Sequence, residues 1–268
     1  MVTSPTTHTD NLTIGAGKLY LRRSDTLTGF INKNGFLYMG NTPAFTIARA
    51  TTTISHYSAD YAGQQKDREI VTRDDMTATV QFEDMNVDNM ALFFGGGEKL
   101  VLEAAGAATT QEIGSASPGQ YYLIGESAAT PYGSRATAVS VSLTNGGAAL
   151  APEWWEYDVA SGMIYFFLPS EIADGTSLGA NSDVTVSYTP GANTRQIVIA
   201  KGAHVTGELM FVADNTLGEN HNIIIPLVSI TASGDMAFKG TGIQTGSLTM
   251  SVLKAGVLDS LYRVQQAT

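Results

Sequence analysis

The residues best suited to chemistry are few, and their spacing assembles no reaction centre. The histidines are His8, His56, His204 and His221, and none stands four residues from another, as a helical metal site requires. His56 has Ser55, Ser58 and Asp60 beside it, the residue types of a hydrolytic triad. No Gly-x-Ser-x-Gly turn accompanies them to present a nucleophile, so a strand-end histidine is the simpler reading. Gly15-Ala16-Gly17-Lys18 resembles the end of a phosphate-binding loop, but Leu19 follows the Lys where Ser or Thr is needed, and the first Gly is misplaced. Asp84-Met85-Asn86-Val87-Asp88 opens like a calcium loop. Asn89 then replaces the Gly that such a loop needs, and Gly95 replaces its closing Glu. These residues suit a helix N-terminus better, where acids and capping groups gather. Trp154-Trp155 with Tyr157, Tyr165, Phe166 and Phe167 is a cluster that could stack on a sugar. Aromatics alternating on adjacent strands also build the core of a small sandwich, and that reading is favoured here. The sequence predicts no enzyme and no cofactor or metal.

Composition narrows the classes further. The chain has 268 residues, enough for a large all-β domain or a domain carrying an insertion. Hydrophobic residues make up 43% and charged residues 15%, so the chain is globular rather than disordered. Fifteen basic residues against twenty-five acidic ones give −10. A protein that grips phosphates should be basic, so tight nucleic-acid binding is not expected. A surface past which DNA slides without sticking remains compatible. With no cysteine, disulfides, thiolate metal sites and a Cys nucleophile are excluded. No apolar run is long enough for a membrane-spanning helix, and the opening residues carry no secretion signal.

The elements follow from periodicity. Residues 1–17 read as an extended polar arm. Short β runs follow at Lys18–Arg22, Phe30-Ile31 and Phe36–Met39, with Lys33-Asn34-Gly35 as a tight turn. Ala44–His56 and Arg68–Glu83 are the first long strands. In the second, Ile70, Met76, Ala78, Val80 and Phe82 share one parity. Glu69, Arg73, Asp75, Thr77, Thr79, Gln81 and Glu83 share the other, which predicts one apolar and one polar face. The intervening polar loop, Tyr57–Asp67, is long for a hairpin tip, which suggests an interface. Asn86 or Asp88 caps a short helix holding Met90, Leu92, Phe93 and Phe94, and Gly95-Gly96-Gly97 ends it. Residues 105–194 change texture and read as an inserted β module. Its strands are Tyr121–Gly125, Ala136–Leu143, Trp155–Val159, Met163–Leu168 and Val184–Tyr188, with a turn at Asp158–Gly162. The rest of the main domain is residues 1–104 and 195–268. Its second part holds Arg195–Ala200, a second long hairpin (Val205–Val212 and Asn222–Ala232), a turn at Ser233-Gly234-Asp235 into Met236–Lys239, a last strand Ser247–Leu253 and a polar tail.

Several of these stretches carry a resemblance. Met39–Ile47, Ile54–Ser58, Gln65–Glu69 and Asn86–Phe94 resemble the major tail tube proteins of long-tailed bacteriophages. Gly207–Val212, Asp214-Asn215, Ile225–Val228 and Ser233–Asp235 resemble the closing hairpin and turn of the same family. The likeness spans nearly the whole chain and is weakest in the inserted module. It implies a mainly β fold: two packed antiparallel sheets as a sandwich or barrel, one short flanking helix, and the module pointing outward. It further implies hexameric rings stacked into a tube that conducts genomic DNA, with four strands of each subunit, the two long hairpins, forming an inner barrel. About 24 strands at ~4.8 Å spacing and a tilt near ~40° make a circle roughly 48 Å across, narrowed to about 40 Å by side chains.

On that reading Glu69, Asp75, Glu83 and Glu208 are the lumen-facing candidates, where acids would repel phosphate. Tyr57, Asp60, Tyr61, Gln64, Lys66 and Asp67 are the candidates for contact between stacked rings. The partners implied are other copies of the chain and the tape-measure, terminator and distal tail proteins. DNA passes without specific binding, and no membrane is involved. The expected location is the virion tail, and the host cytoplasm during assembly. Two alternatives stay open: the tube subunit of a contractile tail or type VI-like secretion machine, and a carbohydrate-binding β-sandwich built around Trp154-Trp155.

Overall fold

In chain order the computed structural model holds β1 (Gly17–Arg23), β2 (Leu37–Tyr38), β3 (Ala44–Tyr57), β4 (Lys66–Phe82), helix α1 (Val87–Phe93) and β5 (Gly96–Glu103). Next come β6 (Thr109–Ala116), β7 (Tyr121–Leu123), β8 (Ala136–Leu143), β9 (Trp155–Asp158), β10 (Met163–Phe166) and β11 (Ser182–Pro190). The last are β12 (Asn193–Ala200), β13 (Val205–Ala213), β14 (His221–Ala232), β15 (Gly246–Val252) and β16 (Tyr262–Gln265). The structure describes residues 13–24, 35–60, 63–128, 130–145, 147–200, 202 and 205–266. His8, His204, Phe30-Ile31, Lys33-Asn34 and most of the N-terminal arm lie outside them. The protein is mainly β, with 53% strand, 6% helix and antiparallel sheets.

The chain divides into two units, Met1–Leu100 with Gln196–Thr268, and Val101–Arg195. β5 and β12, which lead out of the first unit and back into it, pair with each other.

The first unit is built on one sheet in the order β2-β1-β13-β14-β15-β4-β3, with β16 on β14. Period-two alternation turns one side chain in two toward a common core. Leu19, Leu21, Leu209, Ile225, Val228 and Leu248 are buried there, with Val80, Phe82 and Met250. The sheet curls to bury that face. Phe45 on β3 and Phe211 on β13 lie four strands apart in the order, which is about 19 Å in a flat sheet. Their ring centroids are nonetheless 5.4 Å apart. Curling stops short of closure: β2 and β3 remain the two ends of an open sheet, not a closed barrel.

Helix α1 forms where the acids and the cap gather. The Asn86 side chain accepts the Asn89 backbone N–H at 2.8 Å. Leu92 enters the core. Asn89 is buried and its amide is satisfied by donating to the carbonyls of Met39 (2.9 Å) and Asp84 (2.8 Å). At Gly246 a Cβ would collide with the Phe82 ring, so this position admits no side chain without displacing the core. Pro226 sits inside β14 at a register shift: Gly207 pairs with Val228 and Leu209 with Ile225, so Glu208 faces two residues. A bulge is where a strand tolerates a proline.

The second unit is two three-stranded sheets, β7-β10-β9 and β6-β11-β8. Ile113, Val141, Ile164, Phe166, Val184 and Val186 form their shared core. The Asp158–Gly162 turn is held by the Asp158 carboxylate, which accepts the N–H groups of Ala160 (2.9 Å) and Ser161 (3.1 Å). These bonds, led by the one from the Ser161 side chain, hold Asp158 below the usual carboxylate range. Gly162 closes the turn with φ of 74°.

Three strands escape the sequence reading. β5 begins within the glycines that follow α1, at Gly96. β6 is rich in Thr, Gly and Ser, and owes its strand state to β11. β16 lies in the stretch read as a polar tail and pairs with β14. Met236–Lys239 is not a strand; Met236 packs against the core from a loop. The expected cost of Phe82→Ala is about 3–5 kcal/mol, measured by urea unfolding, because the fully buried ring leaves a cavity under β15.

Candidate functional site: the projecting ribbon and the hydroxyl face

β15 pairs with β4 only over Thr77–Phe82, whereas β3 and β4 stay paired out to Tyr57 and Lys66. Beyond the sheet they therefore form a two-stranded ribbon. Its apolar side chains are largely uncovered: Ile54 is 61% exposed, Ile70 51%, Val71 59% and Tyr57 52%.

Register along this ribbon decides which way its charges face. Thr52 pairs with Arg73 but Thr53 pairs with Val71, leaving Thr72 as an extra residue. The Thr72 hydroxyl donates to the Thr52 carbonyl at 3.1 Å. Such a bulge reverses the parity of everything beyond it. Glu69 then shares a face with Val71 and Asp74, the continuation of the core side, and not with Asp75. The expectation of a single polar face from Glu69 to Glu83 is corrected: the bulge divides it. A second shift leaves Asp67 extra, and its carboxylate lies 2.6 Å from His56 Nδ1.

The four acids singled out from sequence all have partners. Glu69 pairs with Lys66 at 2.6 Å and Asp75 with Arg73 at 2.6 Å. Glu208, on the side of β13 away from the core, pairs with Arg22. Glu83 lies just past β4 and accepts from Asn41 Nδ2 at 2.6 Å. Arg49, which sequence reasoning passed over, grips Asp74 through two hydrogen bonds of 2.8 and 2.7 Å. Arg49's hydrogen bond is the main reason Asp74 sits below the usual carboxylate range, and Asp74 in turn raises Arg49. Glu69 is lowered first by Lys66, then by Thr53.

The interface loop is shorter than its expected span. Tyr57, Lys66 and Asp67 belong to the strands, and Ser58 N–H donates to the Gln65 carbonyl at 2.9 Å to close residues 58–65. Asp60 N–H reaches the Ser58 hydroxyl at 3.4 Å, and Gln64 takes a positive φ of 24°. Tyr61 lies outside the described residues.

Behind the core the sheet presents hydroxyls in register. One row runs Thr46, Thr79, Thr249, Thr231 across β3, β4, β15 and β14. The next runs Ala48, Thr77, Ser251, Ser229, Thr206 and reaches β13. Strand geometry sets neighbours about 4.8 Å apart and rows about 7 Å apart. Asp75 and Glu208 are on this same face. The signal was present as Thr-x-Thr and Ser-x-Thr steps, but only pairing aligns them.

Trp154 and Trp155 pack against the core of the second unit, as the favoured reading of the aromatics expects, so the alternative sugar platform is not formed by that pair. Among the described residues no three His, Asp or Glu side chains converge to hold a metal.

Residues 12–257 match a family described as protein of unknown function UCP028589. The chain belongs to that family. No curated protein matches it. The family's description assigns no chemistry.

The lowered carboxylates set a pH test. A group held below its ordinary value stabilises the fold fully above that value, and the contribution is lost as pH falls through the folded one. Below the ordinary Glu value of 4.5, hydrogen-exchange protection in residues 49–57, corrected for the slower intrinsic exchange in acid, should fall before protection in β13 changes. Equal onset in both would show that the ion pairs do not hold the ribbon.

Proposed function

We propose that the chain is a structural subunit that assembles with copies of itself, the tube protein of a long-tailed bacteriophage, stacking as hexameric rings into a conduit for DNA. The observation that carries this reading is the β3–β4 ribbon, which extends past its sheet with Ile54, Ile70 and Val71 uncovered. A two-stranded ribbon is marginal in water, and an unpaired edge invites further pairing. Packing against the next copy removes both problems. The open sheet offers different ends, β2 and β3, which suits the head-to-tail contacts that close a ring. The sequence likeness to tail tube proteins includes both arms of this hairpin.

On this proposal the hydroxyl face lines the passage. The two long hairpins are separated in the sheet by β15, so the wall of each subunit takes in β15 as well. Asp75 and Glu208 remain on that face, each beside an arginine, and Glu69 is set aside by the bulge. DNA then meets a hydrated wall whose charges are balanced in pairs, which supports sliding without capture.

Negative-stain electron microscopy across a concentration series tests the assembly. Hollow rings or tubes are the expected result, and a compact monomer throughout, even with tail-initiation proteins supplied, would sink the proposal. Ile54→Asp combined with Ile70→Lys should abolish assembly while shifting subunit stability by no more than about 1 kcal/mol, since both positions are exposed and the new charges pair across the strands. Removal of residues 59–64 should leave folded subunits that fail to stack. Thr79→Lys with Thr249→Lys should slow DNA ejection from assembled particles; an unchanged rate would mean that this face does not line the passage.

A further inference from the structure

The outer face of the β7-β10-β9 sheet has an unassigned surface whose chemistry is specific. Tyr121 pairs with Tyr165 across β7 and β10, and Glu156 pairs with Tyr165 from β9, so all three point outward in one row. The two tyrosine rings stack with centroids 4.5 Å apart and planes at 29°. Phe167 meets Tyr165 edge-on at 5.3 Å, and the Tyr165 hydroxyl donates to Glu171 at 2.9 Å. Both contacts fix the Tyr165 ring. Tyr121 is 64% exposed. Tyr121, Tyr165, Met163, Glu156 and Asp158 line a cavity of about 570 Å³. Glu156 makes no hydrogen bond or ion pair with any described residue, so its carboxylate is free to accept.

We propose that this face binds a neutral glycan. A pyranose ring carries a flat face of C–H bonds and an edge of hydroxyl donors. The tyrosines supply a flat π surface for the first, and Glu156 an acceptor for the second. Charge excludes acidic ligands. Residues 101–195 hold nine carboxylates and two arginines, a net −7. Arg195 is engaged by Glu103 and the carbonyls of Tyr132 and Gly133, and Arg135 is packed against the Gly162 turn. An anionic polymer would be repelled. A compact organic cation prefers rings that surround it, whereas these two are stacked into one slab. The site is independent of whether the chain forms tubes.

Saturation-transfer NMR of the full chain with maltotriose, cellotriose and chitotriose tests this, with sialyllactose and choline as comparisons. At least one neutral trisaccharide should bind saturably. Tyr121→Ala should weaken it by about tenfold or more with an unchanged thermal midpoint, and Glu156→Gln should weaken it less. Binding of none of the three, equal binding by Tyr121→Ala, or a preference for sialyllactose or choline would each overturn the proposal.

Discussion

A sheet with one apolar face and a seven-residue helix to cover it has to supply most of its own lid. The meeting of Phe45 with Phe211 is where that happens. Everything else in the first unit follows from this curl. It lets β1, β13, β14, β15 and β4 bury one side of each strand around Phe82 and Leu209, and it leaves the opposite side of the same strands facing out as ordered hydroxyls. Because the curl stops before the edges meet, no strand among the described residues pairs with the outer edge of β3. The part of the β3–β4 hairpin that outruns β15 leaves Ile54, Ile70 and Val71 exposed.

That hairpin shows how one residue redirects an electrostatic argument. Sequence parity places Glu69 and Asp75 together, because a strand alternates. The extra residue at Thr72 puts them on opposite faces. Each acid also has a basic neighbour in reach, so the ribbon carries alternating pairs rather than a band of negative charge. Exposed pairs of this kind add little to stability in water. Their effect is to keep a thin, solvated ribbon close to neutral.

Much of this was legible in the chain. Strong alternation in Arg68–Glu83 and Val205–Val212 located the long strands, and the Asn86 cap with the glycines after Phe94 located the helix within a residue or two. The insertion at 105–194 lies within a few residues of the unit Val101–Arg195. What the chain did not display were features that depend on a partner strand. β6 and β16 have weak patterns of their own, a bulge has no composition, and the hydroxyl rows exist only after four strands are aligned. The aromatic cluster was read as core, and Trp154 and Trp155 do pack there; what pairing alone reveals is that Tyr121, read only as a strand start, faces water beside Tyr165.

The two units carry very different shares of the charge. The chain is −10, yet the inserted unit alone accounts for −7, leaving −3 on the much larger remainder. The negative charge therefore sits mostly on the insertion and not on the sheet. Where the chain leaves and re-enters the insertion, β5 and β12 pair, and the Glu103–Arg195 ion pair is shielded, each side chain only 16% exposed. Breaking a shielded pair strands a charge and costs far more than breaking a surface one. The same guanidinium lies 4.9 Å from the Tyr132 ring centroid and donates to two carbonyls. The insertion thus spends one of its two arginines on its own root and packs the other against its Gly162 turn. What it presents to solvent is acidic and aromatic, a surface that repels polyanions.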